Sequence, residues 1–220
     1  MTYRHMDSKG RELELPVGKV VCVGRNYAAH ARELNNPLPD EPVLFMKHSN
    51  ALVPISPNFS IPKTRGSCHV ETELSLLIGS RLCNADEEQA RKAVIGLGIG
   101  LDLTLRDLQS ELKAKSLPWE KAKAFDGSCP LSAFVPAGEC QPFDQLGFSL
   151  DINKQRQQTG QSNAMLTPLL PLLAYISSHF TLMPGDVVLS GTPAGVCALT
   201  AGDSLDLDLD GCLQISTVVN

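Results

Sequence analysis

The stretch Cys68-His69-Val70-Glu71-Thr72-Glu73-Leu74-Ser75-Leu76-Leu77-Ile78-Gly79 reads as one strand, apolar from Leu74 onward and closed by a glycine. Side chains on a strand alternate faces, so Glu71 and Glu73 point the same way. Two ionised carboxylates about 4 Å apart repel by roughly 4 kcal/mol at an effective dielectric near 20. Solvent, a shared proton or a hard cation has to relieve that repulsion. A third acid, Asp102, interrupts the apolar segment Gly100-Leu101-Asp102-Leu103-Thr104. Three carboxylates make an all-oxygen donor set, which suits Mg²⁺ or Mn²⁺ rather than zinc. Spacing alone leaves a second reading open, in which Glu71 and Glu73 are two solvated residues at a strand end.

The totals around this stretch narrow the class. A chain of 220 residues with 43% apolar content supports one core-forming domain. Its net charge of -5, with no basic stripe, argues against nucleic acid as a partner. No apolar run approaches the roughly 20 residues of a membrane span. The opening Met1-Thr2-Tyr3-Arg4-His5-Met6-Asp7 lacks an apolar secretory core, and the seven scattered cysteines form no CxxC pair. Both features place the expectation in a reducing cytoplasm, with most thiols acting as small buried apolar groups.

Outward from the acidic strand, the chain alternates strands and short helices. Residues 1–16 read as a polar N-terminal extension and 17–220 as a single domain. Lys19 to Gly24 is a buried strand, followed by Arg25-Asn26-Tyr27 and a short helix from Ala28 to about Leu34. In that helix His30 and Glu33 share a face, three apart. They read either as a carboxylate orienting an imidazole or as a plain surface pair. Val43 to Lys47 is another strand, with Lys47 at its end. After Gly79, Asp86 to Val94 reads as a helix with acids leading and bases trailing. Val94-Ile95-Gly96-Leu97-Gly98-Ile99-Gly100-Leu101 carries three glycines, but Leu101 stands where a dinucleotide loop needs glycine. Alternate glycines on one strand face predict close approach of a neighbouring segment instead.

Thr104 is placed to cap a helix from Leu105 to about Lys115, with Asp107 as its capping-box partner. Arg106 and Gln109 share a face at the start of that helix, just after Asp102, where an anion held near Asp102 would reach both. An exposed polar face is the alternative. Lys123 lies between Ala122 and Ala124, ahead of Phe125, a position from which lysines often snorkel. The C-terminal third predicts a hairpin turning at Asn153-Lys154, a helix capped by Thr167 with Pro168 at its first position, a tight loop Gly191-Thr192-Pro193-Ala194-Gly195 and a last hairpin at Asp210-Gly211. Asp206, Asp208 and Asp210 read as the solvated side of an edge whose leucines face inward.

Six of these motifs occur in one order: Val-Gly-Arg-Asn-Tyr with His30 and Glu33; Glu71-Thr72-Glu73-Leu74; Asp102; Arg106-Asp107-Leu108-Gln109; Ala122-Lys123-Ala124-Phe125-Asp126; and Ser190-Gly191-Thr192-Pro193. In this the chain resembles the fumarylacetoacetate hydrolase superfamily, from about Lys19 to its end, and its small single-domain members most. The resemblance implies a β-rich α+β fold, a mixed β-sandwich roll with short peripheral helices, assembled as a homodimer. It implies Glu71, Glu73 and Asp102 as ligands of Mg²⁺ or Mn²⁺, and His30 with Glu33 and Lys123 as the catalytic groups. Arg106, Gln109 and Thr192 follow as substrate-binding residues for a small 2-oxo acid, and charge balance with that anion adds Arg25 and Lys47 to them. The implied activity is hydrolysis of the C–C bond of acylpyruvates through a pyruvate enolate, with oxaloacetate decarboxylation at the same site. Isomerisation or decarboxylation of longer 2-oxo-dienedioates is the alternative within enzymes. A non-catalytic metal-binding or interaction protein on the same fold is the alternative outside them. Ser190, where threonine is commoner in the superfamily, and the Cys68-His69-Val70 approach to the first ligand depart from the usual pattern and put the substrate in question.

Overall fold

A computed structural model describes residues 3–220. Its largest sheet has eight strands. Along one path these run Val43–Lys47, Val20–Gly24, Val187–Leu189, Thr72–Ile78, Val94–Leu101, Cys129–Leu131, Leu52–Pro54, with Val135–Pro136 also paired to Val94–Leu101. Two of its pairings are parallel, Val20–Gly24 with Val187–Leu189 and Leu52–Pro54 with Cys129–Leu131; the others are antiparallel. A five-stranded sheet orders Gln155–Gln161, Gly147–Ile152, Ser204–Leu209, Leu213–Val219 and Asn58–Phe59. A small third sheet joins Cys197–Ala198, Cys68–Val70 and Thr104–Leu105. The fold is strand-rich α+β with short helices, as the sequence implied. Among the described residues no helix is long and apolar enough to cross a membrane.

The central strands explain their own composition. Every residue of Thr72–Ile78 is buried, because the large sheet is covered on both faces. Val21, Val23, Leu74, Leu76, Ile78, Leu97, Ile99 and Val188 join the larger core, which also takes in the five-stranded sheet and the helix Leu169–His179. Their alternates Val20, Cys22, Leu77, Val187 and Leu189 join a smaller core with Tyr3, Leu131 and Phe134. The glycines of Val94–Leu101 face this smaller core. A Cβ on Gly98 would lie 2.6 Å from Ser132 Oγ and 2.9 Å from the Ala133 carbonyl, and one on Gly100 2.5 Å from Leu189 Cδ2. The close approach expected from the glycine pattern is present, with side chains as well as backbone as the neighbours.

Several local expectations are met. The helix Glu87–Ala93 carries acids in its first turn and bases in its last, as read, and Asp86 and Gln89 add a reciprocal capping box that was not anticipated. Asn153 and Lys154, and Asp210 with Gly211, take the positive φ values of tight hairpins. Others are corrected. The single strand read from Cys68 to Gly79 breaks at Glu71 into Cys68–Val70 and Thr72–Ile78, which lie in different sheets. Thr104 does not cap the helix Arg106–Ala114: its hydroxyl donates to the Asp102 carbonyl, and Asp107 accepts from the Ser67 N–H instead. Pro168, not Thr167, takes the N-cap of Leu169–His179, since the Thr167 N–H is engaged by Asn26 Oδ1 at 2.8 Å. Among the described residues all seven cysteines are free.

Candidate metal centre

Strand register assembles the acids. Glu73 stands opposite Gly100, and the Asp102 N–H donates to the Glu71 carbonyl at 2.8 Å, one step past the end of the ladder. One oxygen from each of Glu71, Glu73 and Asp102 lies within 4.8 Å of the others, and all three residues are buried. Their burial excludes the reading of Glu71 and Glu73 as solvated strand-end acids, which would be exposed.

Cations surround the three acids. Lys123 Nζ bridges Glu71 Oε2 at 2.9 Å and Asp102 Oδ2 at 2.5 Å. The Arg106 guanidinium donates to Glu71 Oε1 with one nitrogen and to Gln109 Oε1 at 2.7 Å with another. Lys123 does not snorkel. It is 3% exposed, and the short helix Glu120–Lys123 aims it inward. Burial lowers its affinity for the proton, but Asp102 and Glu71 outweigh burial and hold the ammonium above its ordinary range. Burial alone would raise the Glu71 carboxyl; Lys123, Arg106 and His30 overcome it and hold that group well below the usual carboxylate range. Glu73 goes the other way. Burial, then the charges of Asp102 and Glu71, push it well above that range, despite a 2.6 Å hydrogen bond from the Gly191 N–H.

The donor set fits a hard divalent cation. Asp102 Oδ1 is buried and accepts no hydrogen bond, although Lys47 Nζ lies 2.7 Å away, out of line for one. Two acids of opposite protonation tendency around an unsatisfied carboxylate oxygen are what a bound cation would reconcile.

The other residues singled out in the sequence fall around this centre, with one exception. Arg25, His30, Arg106, Gln109, Lys123 and Thr192 line one cleft with Glu71. His30 is buried and its Nδ1 lies 3.4 Å from Glu33 Oε2, while Glu33 Oε1 accepts from the Gly195 N–H at 3.0 Å. The helix Ala28–Glu33 is thereby tied to the loop after Val187–Leu189 through a side chain that is half-exposed. Lys47 is the exception. It is fully buried behind Asp102, with Nζ also donating to the Lys123 carbonyl and to Ser128, and it does not line the cleft.

Two residues that sequence reasoning passed over hold the frame. Gln158 is buried; its Oε1 accepts from the Thr72 N–H at 3.0 Å, between the two glutamates. Its Nε2 donates to Thr192 Oγ1 at 2.9 Å and to the Pro193 carbonyl at 3.0 Å. Asn26 donates to the Ser190 carbonyl at 2.9 Å, fixing the same loop from the other side. Gln158 lies in polar local sequence with no pattern to single it out, whereas Asn26 stands in the Val-Gly-Arg-Asn-Tyr motif without a role having been read for it.

Comparison with known proteins agrees with this geometry. Residues 19–220 match the family described as "Fumarylacetoacetate (FAA) hydrolase C-terminal". The chain is 50% identical over 210 residues to the Escherichia coli (strain K12) protein named oxaloacetate tautomerase YcgM, covering 95% of this chain and 96% of that one. It is 39% identical over 196 residues to the Bos taurus protein named mitochondrial oxaloacetate tautomerase FAHD1, covering 89% of each. A crystal structure of fumarylpyruvate hydrolase from Pseudomonas aeruginosa, in complex with Mn²⁺ and pyruvate, superposes with a TM-score of 0.91 at 35% identity. That match covers 99% of this chain and 95% of the other. Sequence, fold and the buried acidic centre agree: the chain belongs to the fumarylacetoacetate hydrolase family.

Proposed function

We propose that this protein is a metal-dependent enzyme of 2-oxo acids that interconverts the keto and enol forms of oxaloacetate. The observation that carries this reading is the convergence of His30, Lys123, Arg106 and Gln109 on the three-carboxylate centre within one cleft. Glu71, Glu73 and Asp102 would hold Mg²⁺ or Mn²⁺, which supplies Lewis-acid polarisation of a 2-oxo acid's carbonyl. Arg106 and Gln109, at the first turn of their helix, are placed to hold the carboxylate next to that carbonyl. With its Nδ1 proton directed to Glu33, His30 presents Nε2 as the base that takes the proton from C3 and returns it. Lys123, held protonated by Glu71 and Asp102, donates to the oxygen on which charge builds. Lys47 compensates Asp102 from behind and lies outside the cleft, a change from the substrate-binding role that charge balance had given it.

Cleavage of acylpyruvates is a second reading, and the likeness to a fumarylpyruvate hydrolase favours it. It needs the same His30 base directed at water instead of at carbon. The two separate in one experiment with Mg²⁺ present. Decay of enol absorbance in fresh oxaloacetate is followed beside pyruvate release from acetylpyruvate, in wild type and His30→Ala. Enol decay well above the metal-only rate, lost in the variant, supports the first reading. Pyruvate release alone supports the second. Decay at the metal-only rate in wild type overturns the tautomerase reading.

A further inference from the structure

The cleft carries more positive charge than its inner half uses. Arg106, Gln109 and Lys113 lie along one stripe of the helix Arg106–Ala114, at i, i+3 and i+7. The first two serve the inner half. Lys113 reaches the cleft one turn farther out, where its Nζ meets only Asn36 Oδ1, at 3.2 Å. Arg25 lines the same cleft from the end of Val20–Gly24. Its backbone sits at φ +60, a conformation that non-glycine residues adopt at a penalty and that tends to persist at functional positions. Among the described residues the Arg25 guanidinium has no ion-pair partner. Partial desolvation where this exposed side chain meets the cleft, then Arg25, Arg106 and Lys123, hold the Lys113 ammonium below its ordinary range against the opposing pull of Glu71. A cationic pair with no acid of its own, at the outer end of a substrate cleft, is an arrangement that an incoming anion would complete.

We propose that Lys113 and Arg25 form a clamp for the distal carboxylate of the substrate and make the enzyme selective for dicarboxylic 2-oxo acids over those ending in a neutral group. The proposal rests on the 2-oxo acid reading above and adds Lys113 as a specificity residue. Recognition of the near carboxylate stays with Arg106 and Gln109, so loss of the clamp weakens binding of one substrate class and leaves the other untouched.

Binding tests this apart from turnover. Isothermal titration of the Mg²⁺-loaded protein would compare C3-difluorinated oxaloacetate, which cannot enolise, with C3-difluorinated 2-oxobutanoate, which lacks only the far carboxylate. Wild type is expected to bind the dicarboxylate at least roughly tenfold more tightly. Lys113→Met and Arg25→Met should each remove most of that difference, and Lys113→Arg should keep it. Lys113 is exposed with one polar partner, so its replacement leaves the fold intact. Equal binding of the two acids by wild type, binding of neither, or an unchanged preference in Lys113→Met overturns the proposal. An intact preference in a protein that does not accelerate enol decay leaves the clamp standing and removes the tautomerase reading.

Discussion

At the scale of single residues, two buried side chains that do not line the cleft hold the centre. Gln158 satisfies the Thr72 N–H between Glu71 and Glu73 and ties it to Thr192 and Pro193. Gln158→Leu leaves that buried donor unpaired, at a cost of about 1–3 kcal/mol in urea unfolding. The same change frees the backbone between two ligands, and Mn²⁺ affinity should fall by roughly tenfold or more, read by direct titration. Lys47 neutralises Asp102 from the interior at 2.7 Å. Removing one partner of a buried ion pair typically costs about 3–5 kcal/mol. Lys47→Met should therefore lose stability of that order in the presence of a chelator, and less with Mg²⁺ present, because the ion takes over part of the compensation. Equal losses under both conditions would separate Lys47 from the metal.

At the scale of elements, the site is a product of strand ends and of glycines that leave space. Gly191, at φ +96, directs its N–H to Glu73, and a Cβ there would lie 2.7 Å from Asn26 Cβ. A Cβ on Gly98 meets the Ala133 carbonyl at 2.9 Å, and a backbone group cannot retreat as a side-chain tip can. Gly98→Ala is expected to destabilise by about 1–3 kcal/mol in denaturant titration, with the acidic centre itself unchanged. How much of this was legible follows from the range of the interactions. Period-two spacing put Glu71 and Glu73 together, and an acid in an apolar run marked Asp102, because those signals are local. The helix Glu87–Ala93 was equally visible from its charge order, although its capping box at Asp86 and Gln89 was not read. Thr104 failed as a cap because its hydroxyl turns back to the Asp102 carbonyl. Gln158 acts on a residue 86 positions away, and nothing in Gln155–Gln161 marks it out. The burial of Lys47 depends on its strand being covered by Lys123 and Ser128, both distant in sequence. The family resemblance, not periodicity, singled out His30 and Lys123 together, and the fold brings both to one cleft with Glu71.

At the scale of the whole molecule, a sheet covered on both faces places the three-carboxylate centre beside the smaller core. That core also buries His5, whose Nε2 donates to the Gly185 carbonyl at 3.0 Å while Nδ1 lies 3.4 Å from the Tyr3 hydroxyl. Burial pulls the imidazole below its ordinary range, and the Gly185 and Pro16 carbonyls offset only part of this. Protonation therefore favours the unfolded chain, so His5 contributes stability above its unfolded value of about 6.5 that is lost as the pH falls below it. Thermal melts across that window should show a smaller acid loss in His5→Gln than in wild type; equal losses would assign the acid sensitivity to other groups. The centre itself is tested most directly by replacing one ligand without replacing the fold. Glu73→Gln matches the neutral side chain that burial, Asp102 and Glu71 favour at this position and keeps an oxygen for the Gly191 N–H, so the metal-free protein should fold as wild type does. Mn²⁺ titration followed by electron paramagnetic resonance is predicted to give one tight ion per chain in wild type and none in Glu73→Gln. Equally tight binding in the two proteins would contradict the assignment of the three acids as the metal centre.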